Sequence, residues 1–399
     1  MKRKSYLVGI IVSVVLVFLA NMPSYAKEVR GVTKNTIKVG IIFDRTGPVV
    51  DISKPMADGI KTFFRNLNDQ GGVNGRKIKV IHEDDRYSIP IAIASFKKLV
   101  YKDNVFALLG PSSTGGAVAL FAQVEKAKIP IIVWGMAEVM YSPLKRYVFA
   151  GIAPYKDQIG VIYDYILKDL KAQNPKIAFV CADNEFGKSG LQPAKEIAKR
   201  NGLRFHNEII SMSALEATSQ VLKLKRFGAD YVIVHHAVSP AVALLRDAKK
   251  FGYSSEFYGT YPACNEVLIK LAKDASRTFK VANVFEAWYA DTPGVKRVRE
   301  ITLKYDPDTK MKTRPYINGW VYGMILSEGI RRAGKNLNTR SLISSLESIN
   351  NFDPEGLCGL ITYGPDYHKG GEYCKLYKTN VEKEIFMAIT DWRKPSALK

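Results

Sequence analysis

Thr36-Ile37-Lys38-Val39-Gly40-Ile41-Ile42-Phe43 reads as an apolar strand, and Asp44-Arg45-Thr46-Gly47-Pro48 after it reads as a turn. A helical segment leads to the loop Asn68-Asp69-Gln70-Gly71-Gly72-Val73-Asn74-Gly75-Arg76. A second strand, Lys77-Ile78-Lys79-Val80-Ile81-His82, then ends in Glu83-Asp84-Asp85. Strand, long crossover and strand form a βαβ unit, the building block of parallel sheets. Ligands of open parallel sheets bind beyond the carboxyl ends of the strands, so the loops after Phe43 and His82 are expected at the functional edge.

The same alternation continues outward from this unit. Apolar runs at 106–109, 130–133, 176–180 and 231–234 are continuous, the pattern of strands buried on both faces. Amphipathic helices are expected at 91–101, 116–127, 158–170, 191–201, 215–227 and 240–251, with Gly202, Gly228 and Gly252 where helix C-terminal caps belong. This predicts an α/β fold of two doubly wound parallel-sheet lobes. The blocks meet at Tyr147-Val148-Phe149-Ala150, a second extended segment spans 281–285, helices resume at 293–305 and 316–333, and hairpin-like strands follow Asn350. A chain of 399 residues exceeds one ordinary domain. The expected division is 27–149 plus 282–350 for one lobe and 150–281 plus 351–399 for the other. Three crossings, near Phe149, Val284 and Asn351, would form a hinge that opens and closes while resisting twist.

The start of the chain carries a different message. Met1-Lys2-Arg3-Lys4 precedes an apolar run from Leu7 to Ala20 broken only by Ser13, and Ser24-Tyr25-Ala26 is a small-x-small pattern. A basic start, a short apolar middle and small residues at the cut read as a secretory signal peptide, cleaved after Ala26. The competing reading is an uncleaved anchor, but the run falls short of the ~20 apolar residues of a spanning helix. No Cys follows the run, so no lipid anchor is expected. The mature protein is expected to be soluble in the periplasm.

The formal net charge is +21, and +18 once the three basic residues of the signal peptide are removed. Such a charge attracts anionic ligands or a membrane surface, and nucleic acid is the usual partner of basic proteins. Here Lys and Arg are scattered over helix faces, as at Lys97-Lys98, Lys223, Lys225-Arg226 and Arg331-Arg332, with no basic cluster interleaved with stacking aromatics. A solvated surface, and no nucleic-acid role, is the reading. Export permits disulfides. Cys358 and Cys374 flank two strand-like runs, 360–363 and 375–377, and are candidates for a cross-strand bridge. Cys181 and Cys264 either pair or remain buried thiols, and the four spacings do not suggest a zinc site.

Further motifs extend the pattern: Val105 to Gly110 with Pro111, Ile129-Pro130-Ile131, Asn184-Glu185-Phe186-Gly187 and Phe227-Gly228-Ala229-Asp230-Tyr231-Val232. In this order, behind a signal peptide and with the opening βαβ unit, the chain resembles the type I periplasmic solute-binding proteins of the leucine/isoleucine/valine-binding family, which serve ABC importers. The resemblance covers essentially all of the mature chain. It implies no cofactor, no catalysis, a small-molecule ligand such as an amino acid or other small carboxylate, and ABC permease subunits as partners. A sensor of the same fold that docks a separate receptor is the alternative.

The resemblance also implies a site. The family holds its ligand carboxylate in the first lobe with amides and hydroxyls of two loops. The first corresponds to Ser112-Ser113-Thr114-Gly115, opening a helix whose positive dipole end favours an anion. Ser113 or Thr114 as a plain N-cap is compatible with that role. The second corresponds to Trp134-Gly135-Met136-Ala137-Glu138, where Ala137 replaces a frequent Ser or Thr. Trp134 either shapes the pocket or belongs to the core. In the second lobe, Tyr261 stands where amino-acid binders place the acid that neutralises the ligand ammonium, and Phe186 stands where the family often has Tyr. His235-His236 follow an apolar strand toward the cleft, one of them a donor or, protonated, an anion partner. Ile52 and Tyr316 match cleft-lining positions. A buried ammonium without a carboxylate is costly. Either Glu138 or another acid serves, or the ligand is a carboxylate with an apolar or aromatic body rather than a branched-chain amino acid.

Three other motifs are set aside. Ala182-Asp183-Asn184-Glu185-Phe186-Gly187-Lys188-Ser189 nearly matches a P-loop, but lacks its first Gly and carries two acids that repel phosphate. Gly110-Pro111-Ser112-Ser113-Thr114-Gly115 is not a nucleophile elbow. The neighbours His82-Glu83-Asp84-Asp85 point in different directions along a strand end, against a metal site.

Overall fold

The first strand ends where Asp44 turns its carboxylate onto the amides of Thr46, Gly47 and Val49, at 3.0, 2.5 and 2.9 Å. That local trap converts the apolar run β1 (Thr36–Ile42) into the start of helix α1 (Val50–Asp69). These features belong to a computed structural model that describes residues 29–397. The expected signal peptide, 1–26, and its cleavage point lie outside the described residues.

Helix α1 buries Ile52, Met56, Ile60 and Phe64 on one face, and β2 (Lys77–Glu83) returns parallel to β1 in the register Ile37↔Ile78 through Ile42↔Glu83. Helix α2 (Ile89–Lys97), β3 (Ala107–Leu109), α3 (Thr114–Ala127), β4 (Ile131–Val133) and β5 (Val148–Ala150) complete a five-stranded parallel sheet of order β2-β1-β3-β4-β5. The chain runs outward on one side of β1 and then on the other, so the loops after β1 and β3 face each other at a topological switch point.

The second half repeats the scheme. Helix α4 (Tyr155–Asp164), β6 (Ile177–Cys181), α5 (Glu185–Arg200), β7 (Phe205–Ile209), α6 (Thr218–Phe227), β8 (Tyr231–His235), α7 (Val238–Lys250), β9 (Glu256–Gly259), α8 (Glu266–Ala272) and β10 (Lys280–Asn283) follow in order. Helices α9 (Pro293–Tyr305), α10 (Arg314–Ala333) and α11 (Thr339–Glu347) precede β11 (Ile361–Gly364), β12 (Tyr367–Gly371), β13 (Lys375–Asn380) and β14 (Ile385–Ala388). The second sheet has the order β14-β13-β10-β9-β8-β6-β7, with its switch point between β6 and β8. Its strands β7 to β10 and β6 are parallel, while β13 and β14 are antiparallel additions. The chain is therefore α/β with two doubly wound sheets. Gly202, Gly228 and Gly252 adopt φ of +65°, +68° and +58° just past their helices, the left-handed geometry that ends a helix cheaply.

Helix α10 returns to the first sheet and packs against α1 at glycine contacts. A Cβ on Gly319 would stand 2.0 Å from the carbonyl oxygen of Met56, and one on Gly59 would stand 2.2 Å from that of Tyr316. At its start, Arg314 is fully buried beside Glu266 of α8 (Nε–Oε1 3.3 Å), with Tyr377 4.0 Å beneath the guanidinium. A side chain from the helix on the first sheet is thereby embedded in the second.

The structure corrects the expected cysteine bridge. All four cysteines are free and buried, Cys358 and Cys374 included. The runs they flank are not partners: β11 pairs with β12, whereas β13 joins β10 and β14. The β11–β12 hairpin, expected with the second lobe, is tied to β5 of the first sheet. Tyr363 donates its hydroxyl to Ala150 O (2.7 Å), and His368 bonds Val148 O (2.9 Å). The chain rejoins the second sheet only at Lys375. Two of the expected helices end in wide π-turns, at Lys98–Lys102 and Tyr165–Asp169.

Two outcomes follow. Thiol titration of the denatured, unreduced chain should count four thiols; two would restore a bridge. Gly319→Ala should cost about 1–3 kcal/mol by forcing α1 and α10 apart, read from the denaturation midpoint; an unchanged midpoint would contradict the close contact.

Candidate functional site

Loops at the carboxyl ends of both sheets surround one narrow cavity, with room for about 20 Å³ of solvent between its walls. From the first sheet come Val49 and Ile52 after β1, Tyr87 after β2, Ser112 and Thr114 after β3, and Trp134 and Gly135 after β4. From the other side come Tyr155, Phe186, Met212, Ala237 and Pro262. None of these lining residues is charged.

Ser112 fixes the first-sheet wall. Its hydroxyl accepts from Asp44 N at 2.5 Å, and its amide donates to Asp85 Oδ2 at 2.8 Å. The other oxygen of Asp85 accepts from Tyr87 N at 3.1 Å, and burial raises its carboxyl pKa. Tyr87 and its neighbour Arg86 have φ of +57° and +49°, a left-handed pair unusual outside glycine. Asp84 Oδ1 and Asp85 Oδ1 hold these two amides, and the turn aims Tyr87 at the cavity, beside the Asn184 side chain of the other wall.

Helix α3 begins at this fixed loop. Ser113 Oγ accepts from Gly116 N at 2.9 Å, so its side chain is the N-cap and it stands outside the lining. The first intrahelical bond is Ala117 N to Ser113 O, which leaves the amides of Thr114 and Gly115 ahead of the ladder. Thr114 lines the cavity. Gly115 lies just outside, where a Cβ would meet Ile89 at 3.1 Å. Trp134 lines the cavity and packs edge-on to Phe43 at 6.3 Å. Ala137 is buried outside the lining, and Glu138 is half-exposed, paired with Lys156 at 3.2 Å.

On the opposite wall, Phe186 stands edge-on to Tyr155 at 5.3 Å. His235 lies behind both rings, 4.1 Å from Phe186 and 4.6 Å from Tyr155, with Nδ1 on Thr260 Oγ1 (2.8 Å) and Nε2 on Phe186 O (3.0 Å). His236 bonds Ile210 O through Nε2 at 2.9 Å and accepts from Ala237 N at 3.0 Å through Nδ1. Neither histidine lines the cavity. Burial lowers their pKa values to about 3 and about 4, which favours the neutral ring for both at physiological pH in the ligand-free chain. Tyr261 is buried just behind the lining. Its amide donates to Gln158 Oε1 at 2.8 Å and its hydroxyl accepts from Asn318 Nδ2 at 2.7 Å. Tyr316 bonds Thr302 at 2.9 Å and stands outside the lining.

Thus four sequence-derived residues, Ile52, Thr114, Trp134 and Phe186, line the cavity together. Tyr87, Tyr155 and Met212 line it without having been singled out. Tyr155 carried a usable signal, since it opens the helix after the first crossing. Met212 follows β7, whose Phe205-His206-Asn207-Glu208-Ile209 is too polar to announce a strand.

The sequence profile of the periplasmic binding protein family matches residues 36–383. A Leu/Ile/Val-binding protein homolog 7 of Brucella suis biovar 1 is 26% identical over 338 residues, covering 79% of this chain and 81% of that protein. Its counterpart in Brucella abortus is 29% identical over the same span. Among solved structures, a branched-chain amino acid ABC transporter protein from Thermus thermophilus with bound valine superposes with a TM-score of 0.84 at 23% identity, covering 92% of this chain and 98% of that one. A fatty acid ABC transporter substrate-binding protein from Thermomonospora curvata also gives 0.84, at 22% identity, covering 94% and 96%. At these identities the two superpositions establish the fold.

Because His235 has a folded pKa below its unfolded value of about 6.5, it takes up a proton in the unfolded chain first. The stability linked to its neutral ring is complete above 6.5 and is lost as pH falls toward 3. Ring-carbon NMR should show His235 and His236 untitrated from pH 8 to 5; a midpoint near 6.5 for either would contradict their burial.

Proposed function

This chain belongs to the periplasmic binding protein family, and we propose that it is the extracytoplasmic solute-binding component of an ABC importer for a small carboxylate with an apolar or aromatic body. The observation that carries the reading is the shared cavity. Its walls come from the strand-end loops of both sheets, four of its lining side chains are aromatic, and no lining residue is acidic. A signal peptide cleaved after Ala26 would deliver the chain to the periplasm.

The chemistry divides between the walls. The carboxylate binds first at the start of α3, where the Thr114 and Gly115 amides, the Thr114 hydroxyl and the helix dipole offer an anion seat that the Ser112 network holds in place. The apolar body lies between Tyr87 and Trp134 on one side and Tyr155 and Phe186 on the other. Closure brings the second wall over the ligand. In the structure the walls already touch through Asn265 Nδ2 to Asp51 O at 3.0 Å and Asn318 Nδ2 to Tyr261 Oη at 2.7 Å, so this geometry corresponds to the closed form. Binding therefore shifts the population toward a closed surface that a permease recognises, and no covalent step is involved.

The lining also argues against a branched-chain amino acid. Glu138 is half-exposed and paired with Lys156, so it does not serve a buried ammonium. An ammonium beside the carboxylate seat at the start of α3 would be desolvated among aromatic walls with no carboxylate among the lining residues.

Calorimetry of the mature chain against benzoate, 3-phenylpropanoate, phenylalanine and leucine tests this. An aromatic acid should bind with a Kd of about 1 μM or tighter, and leucine should bind much more weakly. Tight leucine binding without aromatic-acid binding would overturn the reading. Thr114→Ala should weaken the best acid about tenfold, the worth of a hydrogen bond to a charged group, with no loss of fold; an unchanged Kd would remove Thr114 from the seat.

A further inference from the structure

Three buried polar atoms at the back of the cleft find no hydrogen-bond partner in the protein: Trp134 Nε1, Asn318 Oδ1 and Asp51 Oδ2. They gather around one hydroxyl. Tyr261 Oη accepts from Asn318 Nδ2 at 2.7 Å, the Trp134 indole is close enough to donate to the same oxygen only weakly, and the Asp51 carboxyl acts on it through space alone. Trp134, Tyr261 and Asn318 are 7%, 1% and 0% exposed, so bulk water does not serve them. The group adjoins the cavity through Trp134, which lines it, and Tyr261 and Asn318 stand behind that lining. Unpartnered buried polar atoms are costly and rare in folded proteins, and three at one place signal a partner.

The character of the four groups defines that partner. The Trp134 indole only donates, and Asn318 Oδ1 only accepts. Tyr261 has accepted one bond and keeps its own proton to give. Asp51 accepts when ionised and donates when protonated, and burial raises its pKa to about 6, so both forms are within reach. An ammonium only donates and would face the Trp134 N–H. A second carboxylate only accepts and would face Asn318 Oδ1 and Asp51. A neutral group that gives and takes at once satisfies both kinds of atom.

We propose that the cleft ends in a second polar subsite, formed by Trp134, Tyr261, Asn318 and Asp51, which holds a neutral hydroxyl or carboxamide at the far end of the ligand. The inference rests on the carboxylate reading of the cleft and extends it. The ligand has an anionic head at the start of α3, an apolar or aromatic body between the rings, and a neutral polar tail at Tyr261. Trp134 and Asn318 are then specificity residues, since a ligand lacking the tail leaves their atoms unpaired.

Calorimetry on the mature chain with benzoate, 3- and 4-hydroxybenzoate, 4-carbamoylbenzoate and 4-(aminomethyl)benzoate decides it. At least one hydroxy or carbamoyl acid should bind about tenfold or more tighter than benzoate, and the aminomethyl acid should bind no tighter than benzoate. The ratio of tailed to untailed affinity should fall toward one in Trp134→Phe and in Asn318→Leu, whatever either change does to benzoate itself. If Asn318→Leu does not fold, the ratio in Trp134→Phe decides. Equal affinity for benzoate and every tailed acid in the wild-type chain would overturn the subsite while leaving the carboxylate reading intact, and would assign the cluster to buried water. Tightest binding by the aminomethyl acid would overturn the neutral tail. Failure of all five acids to bind would overturn the carboxylate reading and the subsite with it.

Discussion

Two buried aspartates and one serine hold the functional edge of the first sheet in place. Asp44 closes the turn after β1 on three amides, Asp85 holds the turn after β2, and Ser112 joins both to the loop after β3. A carboxylate accepting backbone N–H groups is among the stronger neutral-to-charged contacts available to a loop. Here such contacts convert three separate strand ends into one wall. The start of α3, the aim of Tyr87 and the position of Ile52 all depend on it.

The opposite wall is built differently. It has no comparable carboxylate net in the cavity. Instead Phe186 and Tyr155 lean on His235, a neutral ring clasped by Thr260 and by the Phe186 carbonyl. Where the two halves meet away from the cavity, Arg314 sits buried beside Glu266 and over Tyr377. Breaking such a pair by removing one partner leaves an uncompensated buried charge and is strongly unfavourable. The contacts between the two walls beside the cavity are fewer and neutral, Asn265 to Asp51 and Asn318 to Tyr261. On the proposed reading, the mouth opens while the joint at Arg314 stays made, and a small differential affinity suffices to shift the balance.

Much of the architecture was legible because it is written in local signals. Continuous apolar runs marked buried strands, glycines marked helix ends, and Asp44-Arg45-Thr46-Gly47-Pro48 marked the first switch-point loop. What failed to read locally depends on partners far along the chain. Nothing in residues 360–377 says that β11 pairs with β12 while β13 crosses to β10, and the bridge expected between Cys358 and Cys374 fails for that reason. The two histidines illustrate a finer limit. Position at a strand end placed them near the cleft, but successive side chains leave a strand on opposite faces. One of them went behind Phe186 and the other onto Ile210 O. Tyr87 was hidden because its aim comes from a left-handed backbone pair held by Asp84 and Asp85, which no composition signal announces.

The central claim is that the two sheets and their strand-end loops are halves of one device that closes on a small acid. Small-angle scattering of the mature chain, without ligand and then saturated with its tightest-binding acid, tests that claim most directly. The account predicts a smaller radius of gyration in the saturated sample, reversed when the acid is dialysed away. Superimposable curves for the two samples, with calorimetry showing the acid bound, would contradict it.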